Sequence, residues 1–208
     1  RSWSWFIRYA WEQNRYAGVL SCWRHGKSTL GTTRLALDGM GRNQNVRIRV
    51  LAADDREAML RTRSIARYVR QSPEYRAIYP LVQPDQEANW NEHRFFIKRS
   101  SFAPDPTVQA AAAFSSEAGG GNDLILIDDV STFQNAILRP AHREKIYQVL
   151  SSVWLRRVQP ETRVALFGTA WHEKDAHNQL RQLKSGKWLW LIQRVNSTFD
   201  AIESIVEG

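Results

Sequence analysis

The sequence predicts an α/β fold with a mainly parallel central sheet flanked by helices. Apolar runs typical of strands alternate along the chain with segments of helical periodicity, which is the order that builds such a sheet. The run 124–127 is continuously apolar, as expected of a central parallel strand that is covered on both faces. A length of 208 residues suits one domain with a sizeable core.

Hydrophobic periodicity and capping residues predict the individual elements. Asp54 and Asp55 offer an N-cap for a long helix that ends before Pro73. A flexible turn is expected at 117–122. The other predicted helices cover 2–13, 28–37, 139–157 and 175–183, and the predicted strands cover 17–22, 46–53, 94–98, 108–114, 123–129, 163–167 and 188–192.

The charge of the chain is concentrated in its first half and points to a polyanionic partner. Residues 1–104 carry 18 lysines and arginines against 9 aspartates and glutamates, whereas the remainder carries 11 against 12. Such a basic surplus favours nucleic acid as the partner. No apolar run approaches the ~20 residues of a membrane span, so no membrane is expected. The single cysteine excludes an internal disulfide.

The long helix that follows Asp54 has two distinct faces. Ala58, Thr62, Ile65 and Val69 recur at helical spacing and are predicted to be buried. Four arginines share another side, which is either a contact surface for DNA or a neighbouring subunit, or a solvated charged face. This arginine stripe consists of Arg56, Arg63, Arg67 and Arg70.

A phosphate-binding loop is predicted directly after the first strand. The apolar run 17–20 leads into a loop that ends in Gly26-Lys27-Ser28, and a helix follows. In such a loop the backbone N–H groups and the helix N-terminus face an anion, the lysine reaches the β- and γ-phosphates, and the serine hydroxyl is a ligand for Mg²⁺. The candidate nucleotide-binding residues are Ser21, Cys22, Trp23, Arg24, His25, Gly26, Lys27, Ser28 and Thr29.

Two carboxylates follow the apolar run 124–127, as they do in the second half of a nucleotide site. Ligands of open α/β sheets lie beyond the carboxyl ends of the strands. Asp128 is therefore the candidate Mg²⁺ ligand, and Asp129 is the candidate base that deprotonates the attacking water. Gly168-Thr169 ends a further strand, where the Thr169 hydroxyl is positioned to sense the γ-phosphate.

Three segments together resemble the ATPase domain of bacteriophage large terminase subunits. They are 23–29, 124–129 and 167–175, and the third, which runs from Gly-Thr to Trp-His-Glu-Lys-Asp, is the most specific. The resemblance covers roughly 16–195. It implies a P-loop NTPase fold of the RecA-like ASCE type, with an additional strand between the two nucleotide motifs for which 46–53 is the candidate. In that family Gly-Thr is the coupling motif that links phosphate state to movement.

The resemblance also implies a reaction, its cofactors and its partners. ATP and Mg²⁺ are the expected cofactors of a motor that drives double-stranded DNA into a procapsid. Its partners would be double-stranded DNA, the portal of the procapsid, the small terminase subunit and neighbouring copies in a ring, all in the cytoplasm of the infected host cell. Residues 1–199 would form the ATPase domain, including a helical segment at 1–15. Residues 200–208 would begin a linker to a nuclease domain, so no DNA cleavage is expected from this chain.

This chain departs from the family pattern in its phosphate loop and its carboxylates. Ser21 stands where the full Gly-x-x-x-x-Gly-Lys-Ser/Thr pattern has its first glycine, and Asp129 stands where the family usually has a longer Glu. The arginine that often precedes the second motif is absent from 117–121. The candidates to replace it as an arginine finger are Arg24, or Arg99 or Arg143 from a neighbouring copy.

The adenine-binding segment is poorly matched as well, with Gln13 or an aromatic residue of 3–11 as its candidates. Two other functions stay open on the sequence. A superfamily-2-like helicase lobe shares both nucleotide motifs, although no Asp-Glu-x-His/Asp follows Ile127. A non-hydrolysing DNA-binding assembly module would explain the incomplete phosphate loop and the missing arginine.

Overall fold

A mixed, mostly parallel sheet flanked by helices forms the centre of the protein. The computed structural model describes residues 3–88, 90–115, 120–183, 185–195 and 201–208. In these residues the sheet has eight strands in the order β3-β4-β2-β5-β6-β1-β7-β8, and only the edge pairs β3–β4 and β7–β8 are antiparallel. The strands are β1 (Tyr16–Leu20), β2 (Ile48–Ala52), β3 (Arg94–Phe95), β4 (Val108–Ala112), β5 (Leu124–Asp128), β6 (Arg163–Gly168), β7 (Trp188–Val195) and β8 (Ala201–Glu207).

Helices cover both faces of the sheet because the central strands alternate their side chains between two apolar cores. On β5, Leu124 and Leu126 face one core, whereas Ile125 and Ile127 face the other. The first core also takes side chains of α1, α2 and α3, and the second takes side chains of α6 and α7. The helices are α1 (Trp3–Glu12), α2 (Arg34–Arg42), α3 (Asp55–Gln71), α4 (Pro73–Ile78), α5 (Phe133–Ala136), α6 (Pro140–Val149) and α7 (Ala176–Gln182).

The structure of α3 confirms its predicted N-cap, its buried face and its exposed arginine stripe. The Asp54 side chain accepts a hydrogen bond from the Glu57 backbone N–H and caps the helix. The four residues predicted to face the core are buried, and the four residues of the arginine stripe are exposed. Periodicity located both faces because burial follows the 3.6-residue repeat.

Two helices are less regular than predicted. The helix after the predicted phosphate loop starts as a π-helical segment, Lys27–Thr33, and continues without a break as α2. Helix α6 likewise continues as the π-helical segment Leu150–Trp154 and the 3₁₀ turn Leu155–Arg157. The short helices α4 and α5 were missed, since six and four residues are too few to show a helical period.

The position of β2 corrects the prediction for the strand between the two nucleotide motifs. Segment 46–53 lies between those motifs in sequence, but in the sheet β2 lies on the far side of β5, where it pairs with β5 and β4. The strand that separates β1 from β5 is β6. Which strand lies between two others depends on how the chain crosses over, and periodicity carries no information on that.

The last described segment also differs from its prediction. Residues 201–207 form β8, an edge strand paired antiparallel with β7 over its whole length, instead of leading away from the domain as a linker. The strand predicted at 94–98 is ordered as a two-residue strand plus a bridge from Ile97 to Pro84. The predicted turn at 117–122 lies partly outside the described residues. None of the described helices is long and apolar enough to cross a membrane.

Candidate functional site

The sheet order brings the predicted site residues together where the central parallel strands end, which we call the carboxyl edge of the sheet. Strand β6 lies between β1 and β5, so the carboxyl ends of these three strands are neighbours. The phosphate loop leaves β1, Asp128 ends β5, and Thr169 follows β6. The helix that begins at Lys27 packs against both β5 and β6. Four groups from distant parts of the chain therefore meet: the Lys27 ammonium, the carboxylates of Asp128 and Asp129, and the Thr169 hydroxyl.

The backbone of the loop explains why the departure at Ser21 is tolerated. Ser21 is buried, its N–H donates to the Gly168 carbonyl over 3.0 Å, and its φ is not positive. A glycine is therefore not required there. The left-handed positions are Arg24, at φ +61°, and Gly26, at φ +75°. Only Gly26 adopts this conformation without a steric cost.

Lys27 is held at the centre of the cluster. It is 4% exposed, and its ammonium donates to the Cys22 carbonyl over 3.0 Å and to Thr169 Oγ1 over 2.8 Å. Its Nζ lies 3.8 Å from Asp129 Oδ2. Because a buried ammonium must be paired or hydrogen-bonded, these three contacts fix the charge between the loop, β5 and β6. Ser28 follows in the first turn of the helix.

Asp129 has a strained backbone and a perturbed acidity. Its φ is +45°, and its Oδ1 accepts a hydrogen bond from the Thr169 N–H over 3.1 Å. Burial raises the pKa of the Asp129 carboxyl above its ordinary value, and the Lys27 ammonium offsets only part of that effect. A carboxylate with a raised pKa is a stronger base once it is ionised, which suits a proton acceptor.

Asp128 has one satisfied and one unsatisfied oxygen. The side chain is 1% exposed, and Oδ2 accepts a hydrogen bond and ion pair from Arg61 Nε of α3. Oδ1 is buried and has no hydrogen-bond partner among the described residues. A divalent cation fits this orphaned oxygen. No cluster of three or more candidate ligands occurs in the described residues, but Mg²⁺ needs only one or two carboxylates beside phosphates and water.

Arg61 was not among the predicted site residues. Its guanidinium also pairs with Glu57 Oε2 at 3.2 Å, one turn earlier in α3. Burial opposes the Arg61 charge, but the carboxylates of Asp128, Glu57 and Asp129 together outweigh it, so the pKa of Arg61 is raised. The sequence did hold a signal: Arg61 is three residues after Ala58 and four before Ile65, which places it beside the buried face of α3 rather than in the arginine stripe.

The third motif is a structural turn that supports Thr169. Asp175 is fully buried and caps α7, because its carboxylate accepts from the N–H groups of Trp171, His172 and Asn178. His177 of α7 is fully buried too, and its Nδ1 lies 3.3 Å from the Thr169 carbonyl.

The His177 ring packs so closely on Gly168 that a Cβ there would come within 2.3 Å of the ring. Gly168 is thus required by packing, and the coupling segment predicted at Gly168-Thr169 packs against His177 of α7.

A cavity of about 410 Å³ adjoins the predicted phosphate loop. Gln193 of β7 lines it and accepts a 2.8 Å hydrogen bond from the Trp3 indole. Gln13, by contrast, is exposed at the amino end of β1, at the other edge of the sheet. The cavity is lined by Leu20, Ser21, Cys22, Thr169, Ala170, Asn178, Arg181, Ile192, Gln193 and Arg194. The sequence did not reveal Gln193, Asn178 or Arg181. Gln193 reaches the loop only through the pairing of β7 with β1, and Asn178 and Arg181 only through the position of α7.

The remaining loop residues and the three candidate finger arginines lie outside the charged cluster. Trp23, His25 and Thr29 are exposed, and so is Arg24, whose guanidinium stacks 4.3 Å from the Trp23 ring centroid. Arg99 donates to the backbone carbonyls of Ala103 and Asp105, and Arg143 donates to the Ala136 carbonyl.

The arginine stripe of α3 is partly engaged by the chain itself. Arg63 forms an ion pair with Glu92, and the Arg70 guanidinium lies 4.1 Å from the Trp90 ring centroid. Arg67 donates to Gln71 on the same helix. Two of the four arginines are therefore fixed against segment 90–92, and the stripe presents less free charge than the helix alone would.

Comparison with known proteins adds no assignment. No protein-family model matches the chain, and no curated protein matches it.

Proposed function

We propose that this chain is an Mg²⁺-dependent ATP-hydrolysing domain, and that it serves as the motor domain of a viral large terminase that drives double-stranded DNA into a procapsid. The P-loop NTPase assignment is part of the same proposal. The observation that carries it is the meeting of Lys27, Asp128, Asp129 and Thr169 at one sheet edge. These groups come from three strand ends spread over about 140 residues, and each has the chemistry that phosphoryl transfer requires.

Each group has a role that follows from its contacts. The Lys27 ammonium, held between loop and Thr169, would bind the terminal phosphates in exchange for part of its present hydrogen bonds. Asp128 Oδ1 and the Ser28 hydroxyl would hold Mg²⁺, which neutralises phosphate charge when it is bound. Asp129 would orient and deprotonate the attacking water. Thr169 touches both Lys27 and Asp129, so it is the group best connected to report the phosphate state.

The cavity beside the loop supports a nucleoside rather than a bare phosphate as the ligand. Its volume lies within the usual range of small-molecule sites. Its wall offers apolar surface from Ile192 and polar groups from Asn178 and Gln193, a combination that suits a purine base.

The DNA motor assignment is supported by the three-motif resemblance and by the basic surplus of residues 1–104. Double-stranded DNA, the portal, the small subunit and ring neighbours are accordingly the proposed partners, in the host cytoplasm. Arg24, exposed on the loop, is the proposed arginine finger; from that position it would reach a neighbouring copy's nucleotide or its own after the loop closes.

The experiment that tests the proposal is ATP hydrolysis with and without Mg²⁺ as a function of protein concentration. Wild type is compared with Asp129→Ala and with Asp105→Asn. Asp105 is a partly exposed aspartate at the other end of the strands, so its substitution serves as the control. We expect Mg²⁺-dependent hydrolysis whose rate per subunit rises with concentration, because neighbours would complete the site. Asp129→Ala should reduce the rate at least about 100-fold, and Asp105→Asn should leave it unchanged.

Other outcomes select the alternatives. Strand separation of duplex DNA would favour the helicase lobe. Tight DNA binding by a chain that binds no nucleotide would overturn the ATPase assignment in favour of the assembly module. Hydrolysis that survives Asp129→Ala would remove Asp129 from its proposed role.

A further inference from the structure

The Asp128–Arg61 pair links the candidate metal ligand to a helix that does not belong to the phosphate loop. Asp128 ends β5, and Arg61 reaches it from α3. The Asp128 carboxylate is fully buried, whereas the Arg61 side chain is 24% exposed. One end of this ion pair is therefore fixed in the core, and the other has room to move.

A buried carboxylate requires a cation, and the structure supplies it from within the chain. Removing one partner of a buried ion pair strands the other charge in a poorly solvating interior. Lys27 is committed to Cys22, Thr169 and Asp129. Arg61 is thus the cation that compensates Asp128 in the described residues, and it compensates only one of the two oxygens.

Resting on the proposed function, we propose that Arg61 and a divalent cation compete for the Asp128 carboxylate, and that cation binding weakens the contact between Arg61 and Asp128. Two positive charges on one carboxylate repel each other across a few ångströms of weakly screening interior. Either cation alone stabilises Asp128, so binding of one lowers the affinity for the other. Arg61 has a second acceptor in Glu57, which keeps its charge paired as the Asp128 contact weakens.

The competition connects the metal site with the arginine stripe. Arg61 and the stripe lie on different sides of the same 17-residue helix, and α3 packs on the sheet through its buried face. Weakening the Arg61–Asp128 contact removes one ion pair that holds α3 to β5. Occupancy of the metal site would in this way alter the position of a basic surface that is a candidate contact for DNA or a neighbouring subunit.

The test is thermal unfolding of wild type, Arg61→Gln and Arg63→Gln in EDTA and in a titration of Mg²⁺, with and without ATPγS. Arg63→Gln is the matched control because it removes an exposed arginine of the same helix. We expect Arg61→Gln to unfold about 10 °C below the control in EDTA, since it strands a buried charge. We also expect its half-effective Mg²⁺ concentration to be about tenfold lower than in wild type, because the competing cation is gone.

An equal or higher half-effective Mg²⁺ concentration in Arg61→Gln would overturn the competition. Glu57→Gln keeps the Arg61–Asp128 pair but removes the second acceptor of Arg61, so the competition predicts a half-effective Mg²⁺ concentration above that of wild type. An unchanged value in Glu57→Gln would overturn the competition even if Arg61→Gln does not fold. The arm without nucleotide separates the two proposals. If ATPγS never changes the unfolding of wild type but Mg²⁺ alone stabilises Arg61→Gln more than wild type, the ATPase proposal fails and the competition stands.

Discussion

The two edges of the central sheet both carry paired charges, yet the pairs differ in burial and in completeness. At the amino edge, Arg47 donates from Nε and Nη2 to the two oxygens of Asp123 and also pairs with Asp105, and all three side chains are partly exposed. At the carboxyl edge, Lys27 and Asp128 are almost fully buried. Asp128 Oδ1 has no partner among the described residues.

This difference separates charges that satisfy one another from charges that are left available, as the proposed function requires. The three amino-edge side chains satisfy one another, so a ligand would gain little there. Burying charge at the carboxyl edge costs free energy that the native contacts only partly recover. Such a cost is usually kept where groups must act on something.

The largest difference between the two edges is expected when the central cation of each is removed, Lys27 at the carboxyl edge and Arg47 at the amino edge. We expect Lys27→Ala to reduce ATP hydrolysis at least about 100-fold, because no other described cation takes its place between the loop and Thr169. Arg47→Ala should lower stability and leave nucleotide binding unchanged. Mg²⁺-dependent ATP hydrolysis measures the effect of Lys27→Ala. Urea unfolding and equilibrium binding of a fluorescent ATP analogue measure the two effects of Arg47→Ala. Loss of nucleotide binding in Arg47→Ala would mean that the edges are not separate.

Adding a methyl group should destabilise the protein at Gly168, beside the candidate site, but not at Gly39 of α2. Gly168→Ala would push a methyl group into the His177 ring, so we expect a loss of about 1–3 kcal/mol in the free energy of unfolding. Gly39→Ala on α2 meets only ordinary contacts, the nearest at 3.5 Å, and should stabilise the helix by about 0.5–1 kcal/mol. Urea unfolding of both variants provides the measurement. A Gly168→Ala variant as stable as wild type would show that the His177 ring moves away readily.

The acidity of one aspartate at each edge is perturbed in opposite directions. Burial raises the pKa of Asp129, so its ionisation disfavours the folded state, and wild type should lose stability relative to Asp129→Asn as the pH rises above about 4. At Asp123, burial acts in the same direction, but the hydrogen bonds from the Arg47 guanidinium and backbone N–H, together with the charges of Arg47 and Arg99, outweigh it and the pKa is lowered. Wild type should therefore exceed Asp123→Asn in stability near neutral pH and lose that advantage as the pH falls below about 4.

Melting temperatures of the three proteins between about pH 3 and pH 8 test this prediction. The two difference curves should have opposite slopes where the carboxyl groups titrate. Parallel curves would show that the two edges do not differ electrostatically.

The smallest effect is expected at the surface, where neither edge is involved. Arg63→Gln breaks an exposed ion pair with Glu92, and such pairs contribute about 0–1 kcal/mol. We expect a change of at most about 0.5 kcal/mol in urea unfolding, which shrinks further in high salt. A larger loss would mean that segment 90–92 depends on this pair to cover α3.

The sequence by itself determined the elements whose signal is local. The 3.6-residue period gave α3 and its buried face, Asp54 gave its cap, and the apolar run gave β5. Candidate site residues were also visible, because Gly26-Lys27-Ser28, the two carboxylates and Gly168-Thr169 each follow an apolar run. Their meeting at one edge was expected from a general rule for parallel sheets.

Only the tertiary structure decided which strand neighbours which, and with it the composition of the site. The place of β6 between β1 and β5, the edge strand β8, the cavity wall from β7 and the reach of Arg61 to Asp128 all depend on contacts between residues far apart in sequence. Periodicity reports which face of an element is buried but not what covers it. The physical reason is that the pattern of buried residues is written within one segment, whereas the identity of its neighbour depends on a second segment far away in the sequence.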